Sequence, residues 1–330
     1  MNLQGRVVVV TGASSGIGRA TALACARRGA RLVLAARSVG ELEHLARICR
    51  SRHGASAVPV PTDVTDARAV EALAAEAVAR FGAIDVWVNA AGVGILGRFD
   101  QVPSEELRRL LDVNVIGAVH GARAALPVMC RQRHGIVIDV SSMLGAVVEA
   151  PYMAGYAMSK AALAMFDAVL RQELALTGAD GVHVCTVLPA GVDTPFFRHA
   201  ANHTGRDLRA LPPVATPERV ARSLTALMGR PRPRTLVGPY ARSLALAHAV
   251  APGLTRRTIA WRVEHRYLGG DGSARGSQGI LHLPSEATAA VRGGRGSGWR
   301  AALRGTGTAA GCCCLAALGV RAAARRRRGV

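Results

Sequence analysis

Short, unbroken apolar runs alternate with amphipathic stretches along the first 237 residues, and that alternation predicts the architecture. Arg6 to Val10 is a β-branched run ending in Thr11-Gly12-Ala13-Ser14-Ser15-Gly16-Ile17-Gly18, after which Ala20, Leu23, Ala24 and Cys25 recur at helical spacing. Further runs at Arg31 to Ala35, Ala57 to Pro61, Ile84 to Val88, Gly135 to Val140 and Val182 to Leu188 read as strands. Helices are predicted over Ala67 to Phe81, capped by Thr65 or Asp66, over Ser104 to Ala124, and around Tyr156 as far as about Leu176. Runs that are apolar at every position belong to strands covered on both faces. Six of them interleaved with helices predict an α/β fold, a Rossmann-like doubly wound parallel sheet in a single catalytic domain spanning residues 1–237. A helix at Pro217 to Met228 and a strand at Thr235 to Val237 close it, and residues 196–216 read as a proline-marked lid over the strand ends.

Charge changes this picture only at the C-terminal side. Of the net +20, residues 1–237 carry +8 and residues 238–330 carry +12. Only 4% of the chain is aromatic, and no aromatic side chains interleave with the basic ones, which argues against a nucleic-acid partner. Residues 238–268, with Leu244 to Ala247, Arg256, Arg257 and Trp261, read as a basic amphipathic helical extension, packed on the domain or lying on a partner or an anionic membrane surface. Residues 269–330 read as a disordered, Gly/Arg-rich basic tail. Within it, the apolar segment 308–320 is shorter than the ~20 residues of a spanning helix. Arg325 to Arg328 follow it, so peripheral attachment at the inner membrane face and free disorder both stay open. Seven cysteines without paired spacing, no His/Cys metal pattern and no secretory leader predict a cytoplasmic protein without a metal.

The chemistry-bearing residues fall at predicted strand ends. The glycine turn between strand and helix suits a dinucleotide: Gly12 for the tight turn, Gly16 for close approach of the pyrophosphate, Gly18 for helix–strand packing, and free N–H groups of the helix start for phosphate. The second strand ends without an acid but with Arg37, which suits a 2′-phosphate and predicts NADP(H) over NAD(H). Asp63 ends the third strand and is placed for the adenine edge, and Asn89-Ala90-Ala91-Gly92 offers small residues beside a cofactor. Asn114 lies inside a helix where asparagine is unfavourable, as a functional polar group or a satisfied core amide. Ser142 ends the fifth strand. Tyr156 and Lys160 are four apart on one helical face, and Lys160 is the only lysine of a chain with 42 Lys and Arg residues. An ammonium is a compact charge whose pKa can move. Beside a phenol it favours the phenolate and lowers a pKa of ~10, so the pair reads as a general acid/base.

Together these motifs resemble the classical short-chain dehydrogenase/reductase family over about residues 3–237. The resemblance rests on Thr11 to Gly18, Asp63-Val64, Asn89 to Gly92, Asn114, Ser142, Tyr156, Lys160, and Pro189-Ala190-Gly191 with Val192 and Thr194. It implies catalysis by Asn114, Ser142, Tyr156 and Lys160. Tyr156 is the acid/base, Lys160 lowers its pKa and holds the nicotinamide ribose, Ser142 orients the substrate oxygen, and Asn114 anchors a water. Gly12, Ser14, Ser15, Gly16, Ile17, Gly18, Arg37, Asp63, Val64, Asn89, Ala90, Gly92, Tyr156, Lys160, Pro189, Gly191, Val192 and Thr194 are expected to bind the cofactor. The implied reaction moves a hydride between NADP(H) and a small carbonyl or secondary alcohol, in a homo-oligomer. Val93, Gly94, Leu144, Tyr152, Met153, Phe196 and Phe197 are expected around an apolar substrate. Ser142 and Tyr156 stand one residue further apart than is common in the family, Tyr152 offers a second phenol, and Asp139 replaces a frequent asparagine. An epimerase or dehydratase with the same pair, or a nucleotide-sensing regulator with a vestigial site, are the alternatives.

Overall fold

The computed structural model describes residues 2–208, 213–269, 276–284 and 290–293. Its centre is a seven-stranded parallel sheet of β1 (Val7–Thr11), β2 (Arg31–Ala36), β3 (Ala57–Pro61), β4 (Val86–Asn89), β5 (Gly135–Val140), β6 (Val182–Pro189) and β7 (Arg234–Val237), in the order 3-2-1-4-5-6-7. Successive side chains of a strand point to opposite faces. Val8 and Val10 accordingly join one apolar cluster with Leu32, Cys25 and Leu224, whereas Val9 joins the other with Trp87, Leu73 and Met129. Both faces are buried, which is why these strands read as continuous apolar runs.

The strand order reverses between β1 and β4, and the loops at the carboxyl ends diverge there to form a cleft. Helix α1 (Gly16–Ala26) leads away from β1, α2 (Val39–His53) connects β2 to β3, and α3 (Ala67–Phe81) starts at Asp66, whose side chain accepts from the Arg68 N–H. The helix expected over Ser104 to Ala124 is longer and interrupted. It comprises α4 (Ser104–Leu111), a π-turn at Asp112–Ile116 and α5 (Gly117–Gln132). Next come α6 (Ala154–Leu176), which carries the tyrosine–lysine pair, and α7 (Pro217–Leu227).

The C-terminal extension packs on the domain. Helices α8 (Ala241–Val250) and α9 (Pro252–Arg262) lead to buried Val263, Tyr267 and Leu268, and Leu268–Gly269 pairs antiparallel with Asp207–Leu208. The stretch read as a disordered tail needs a correction at residues 276–284 and 290–293. Ser277 bridges to Asn202, and Leu281 is fully buried in the cluster that contains Val64 and Val113. A glycine- and serine-rich composition hid this, because two apolar residues, Ile280 and Leu281, anchor the segment. The apolar stretch 308–320, Cys312 to Cys314 and the terminal arginines lie outside the described residues.

Candidate active site

The loop after β1 is shaped by glycines that no other residue can replace without displacing backbone. Gly12 has φ +66°, and a Cβ there would lie 2.7 Å from the Ala91 backbone; one on Gly18 would run into the Gly12 carbonyl. Ser15 is the N-cap of α1 in extended conformation, and its hydroxyl makes no capping bond. Thr11 Oγ1 accepts from the Ala90 and Ala91 N–H groups at 3.3 and 3.4 Å, joining this loop to the one after β4. Thr194, in the loop after β6, stands against Gly16, so three strand-end loops converge.

Tyr156 and Ser142 meet across the cleft, the serine hydroxyl near enough to the phenol to pull its pKa down. Burial pushes the phenol up to about 12, against the pull of Ser142. Burial, rather than the depression expected from Lys160, sets the direction of this shift. The ammonium instead donates to the Val140 carbonyl at 2.9 Å and lies 5.8 Å from the Tyr156 ring centre. Burial brings Lys160 down to about 8, opposed by the charges of Asp139 and Asp167. Those two carboxyls are themselves buried, with pKa values raised by burial, and Asp139 Oδ2 and Asp167 Oδ1 are each without a hydrogen-bond partner among the described residues. Asn89 Nδ2 donates to Asp139 Oδ1 at 2.6 Å and Thr186 Oγ1 to Asp167 Oδ2 at 2.6 Å, so the pair is built into the floor of the site.

Asn114 sits in the π-turn, which rotates its amide inward. Its Oδ1 accepts from the Val93 N–H at 2.8 Å, and its Nδ2 donates to the Val93 carbonyl and to Ser159 Oγ, both at 3.0 Å. A Cβ on Gly92 would lie 3.4 Å from Asn114 Oδ1 and 3.6 Å from Lys160 Nζ, so that glycine leaves the lysine and asparagine in reach of one another. Tyr152, the second phenol, is engaged elsewhere: its hydroxyl donates to Glu264 Oε2 at 2.7 Å, and Arg206 pairs with Glu264 Oε1 at 2.7 Å. The extra residue before Tyr156 is absorbed in the turn, where Gly145 and Tyr152 have positive φ.

Other expected cofactor residues have different neighbours from those foreseen. The Asn89 side chain points below the cleft, accepting from Trp87 Nε1 and donating to Asp139 and the Ala118 carbonyl. Asp63 is in an ion pair with Arg109 at 2.7 Å. Burial raises its pKa, but the Thr65 amide and Arg109 more than offset this and hold the carboxyl below its usual range. Arg109 was missed by the sequence reading, since an arginine in a helix among 42 basic residues carries no signal. Val64 packs beneath Gly117, and its carbonyl faces His120 Nδ1 at 3.0 Å. Arg37 donates to the carbonyls of Ile280, Leu281 and His282 at 2.6, 3.3 and 2.9 Å, and Arg109 Nε to Leu281 at 3.1 Å. The Gly16 N–H donates to the Ala290 carbonyl at 3.1 Å.

Beyond Tyr156 the site is lined by aromatic rings. Tyr156, Phe196, Phe197 and Tyr267 form a chain of edge contacts with centroids 5.4, 5.6 and 5.7 Å apart. Leu144, Tyr152 and Met153 join them and Gly94 lies against Phe196, while Val93 belongs to a neighbouring cluster against which Tyr156 also packs. Tyr267 comes from the C-terminal extension, too far in sequence to have been associated with the site. Among the described residues, no group of three or more His, Cys, Asp or Glu side chains is placed to hold a metal ion.

Comparison with known proteins agrees with this geometry. Residues 6–204 match the family model described as short chain dehydrogenase. The uncharacterized oxidoreductase YxnA of Bacillus subtilis (strain 168) is 34% identical over 264 residues, covering 78% of this chain and 72% of that one. The probable oxidoreductase EphD of Mycobacterium tuberculosis (strain ATCC 25618 / H37Rv) is 36% identical over 272 residues, but this chain spans only 45% of its length. Among solved structures, a short chain dehydrogenase/reductase from Burkholderia phymatum in complex with NAD aligns with TM-score 0.69 and 27% identity, covering 78% of this chain and 97% of that one. L-Sorbose reductase from Gluconobacter frateurii, complexed with NADPH and L-sorbose, aligns with TM-score 0.63 and 27% identity over 72% of this chain and 96% of that one.

Proposed function

This chain belongs to the short-chain dehydrogenase family, and we propose that within it the protein interconverts an apolar carbonyl compound and its secondary alcohol with NADP(H), using Tyr156 as acid and base. As a member of that family it is an oxidoreductase of CH–OH and C=O groups with a small-molecule substrate. The observation that carries the finer reading is the Ser142 hydroxyl beside the partly buried Tyr156 phenol, with the Lys160 ammonium 5.8 Å from the centre of its ring.

The dinucleotide fits the residues present. The Gly12–Gly18 turn leaves backbone where a Cβ would collide, and the first turn of α1 contains no acid to repel phosphate. Gly12, Ser14, Ser15, Gly16, Ile17 and Gly18 would hold the pyrophosphate, Arg37 a 2′-phosphate, and Lys160 the ribose next to the nicotinamide. When bound, the cofactor supplies or accepts the hydride. Relatives are solved with NAD and with NADPH, so the cofactor preference rests on Arg37 and the lack of an acid at the end of β2.

With its pKa pushed up to about 12, Tyr156 is a protonated phenol at neutral pH and can donate to a carbonyl oxygen. Ser142 adds a second hydrogen bond to that oxygen, stabilising charge as it develops in a site shielded from water. Lys160 supplies the positive charge that favours the phenolate once the proton has left. Asn114 holds Val93 and Ser159, and through them the walls on either side of the lysine. In the oxidising direction the same groups act in reverse.

The reading is tested by following NADPH and NADH oxidation across a panel of ketones and aldehydes. Consumption with apolar carbonyls and a higher kcat/KM for NADPH are expected. A clear NADH preference would contradict the role of Arg37. No consumption of either cofactor, and no reduction of NADP+ by the matching alcohols, would contradict the reaction itself.

A further inference from the structure

We propose that the chain's own C-terminal segment, residues 276–284 and 290–293, is a tethered competitor of the cofactor, docking as a peptide ligand in the adenosine and pyrophosphate half of the cleft. This rests on the NADP(H) reading above and adds to it an occupant for the same donors. Arg37 gives its guanidinium to three consecutive carbonyls, those of Ile280, Leu281 and His282. Arg109 Nε adds a bond to the Leu281 carbonyl, and the Gly16 N–H, one of the phosphate-loop donors, bonds the Ala290 carbonyl. Carbonyl oxygens thus engage the groups that phosphate oxygens would need, and a donor turned fully to one acceptor is lost to another.

The docking is specific rather than a chance contact. Leu281 is fully buried in a cluster with Val64 and Val113. Ser277 and Asn202 exchange N–H···O bonds, at 3.1 and 2.7 Å, and the Ile280 N–H donates to the His199 carbonyl at 2.9 Å. Gly293 N–H donates to the Asp193 carbonyl at 3.2 Å, and Arg292 pairs with Glu218 at 3.0 Å. The segment therefore ties the substrate-side lid, the phosphate loop and α7 together across the cofactor half of the cleft.

Tethering makes the competition strong without high intrinsic affinity, because the segment is present at a high effective concentration. Its acceptors are neutral, however, whereas a phosphate brings a negative charge of its own and bidentate geometry to the guanidinium. Saturating NADPH is accordingly expected to displace it. A segment docked nine-tenths of the time would raise the apparent Kd for NADPH about tenfold, since only the open fraction binds. NADH, lacking the 2′-phosphate, has nothing to offer Arg37 in exchange for the three carbonyls.

Amide hydrogen exchange on the full chain, with and without NADPH, tests this directly. Expected are slower exchange in Gly12 to Gly18 and faster exchange in residues 276–284 as the Ser277 and Ile280 amides are released. A protected loop with unchanged or slower exchange in 276–284 overturns the competition and leaves the cofactor reading standing. No protection of the loop overturns the cofactor reading and the competition with it. In parallel, Leu281→Ser in the full chain removes the anchor of the segment and leaves Arg37 and the Gly12–Gly18 turn unaltered. Its Kd for NADPH, read by fluorescence titration, is expected to fall about tenfold by the same population argument; an unchanged or higher Kd overturns the proposal.

Discussion

Burial moves the two titratable groups at the centre of the site toward their neutral forms, Tyr156 up to about 12 and Lys160 down to about 8. The phenol is then ready to give a proton throughout neutral pH, and the lysine is the group whose charge changes nearest that range. Carbonyl reduction is expected to decline as pH rises through about 8, because the ammonium that stabilises the phenolate is lost there. The same shift has a stability consequence of definite sign. Between about 8 and the ordinary value of 10.5 the unfolded chain holds a proton that the native lysine has released, so this group's contribution to stability rises with pH across that window. Lys160→Arg keeps a charge at all these pH values but brings a planar fork to a space bounded by Asn114, Gly92 and the Val140 carbonyl. Misplacement of this kind can cost 10²-fold. The variant is expected to lose roughly that in kcat or more and to lack the alkaline decline, and near-wild-type turnover would remove the significance attached to the lone lysine.

Elements were legible where periodicity alone decides them, and less so where a local irregularity does. The strands at Ala57–Pro61 and Gly135–Val140 and the helix at Ala67–Phe81 coincide with the predicted bounds, because each is a run of one period ended by polar residues or by Gly82. The π-turn at Asp112–Ile116 was not foreseen, since its apolar residues fit an ordinary helix. What marked it was Asn114, a polar residue in the wrong place for a helix interior. Among the described residues the amide is the only side chain bonded to the Val93 N–H and C=O, so Asn114→Ala is expected to leave buried backbone groups unsatisfied at about 1–3 kcal/mol. A thermal melt showing no loss of stability would argue that the turn is held by something other than this amide. The proposed catalytic groups Ser142, Tyr156 and Lys160 stood out one by one because each lies at a strand end or at i,i+4 spacing. Arg109, Tyr267 and the docked segment were not, because they reach the site from elements whose position only packing determines.

At the scale of the whole molecule, the family match ends at residue 204, yet the site does not. Tyr267 completes the aromatic wall beside Tyr156, and residues 276–284 and 290–293 engage Arg37 and the Gly16 N–H, the donors proposed for the cofactor. The segment engages the cleft through backbone carbonyls and Leu281 rather than through the basic excess of the C-terminal part, and the region beyond residue 293 lies outside the described structure. The parallel sheet brings its carboxyl-end loops to one cleft, and everything proposed for the chemistry depends on one phenol in that cleft giving up its proton. The most direct measurement compares wild type and Tyr156→Phe for NADPH affinity and for turnover of a carbonyl that wild type reduces. Removing the acid is expected to lower kcat by about 10²–10⁴-fold while the Kd for NADPH stays within about twofold. A Tyr156→Phe variant that turned over at a rate close to wild type would contradict the account at its centre.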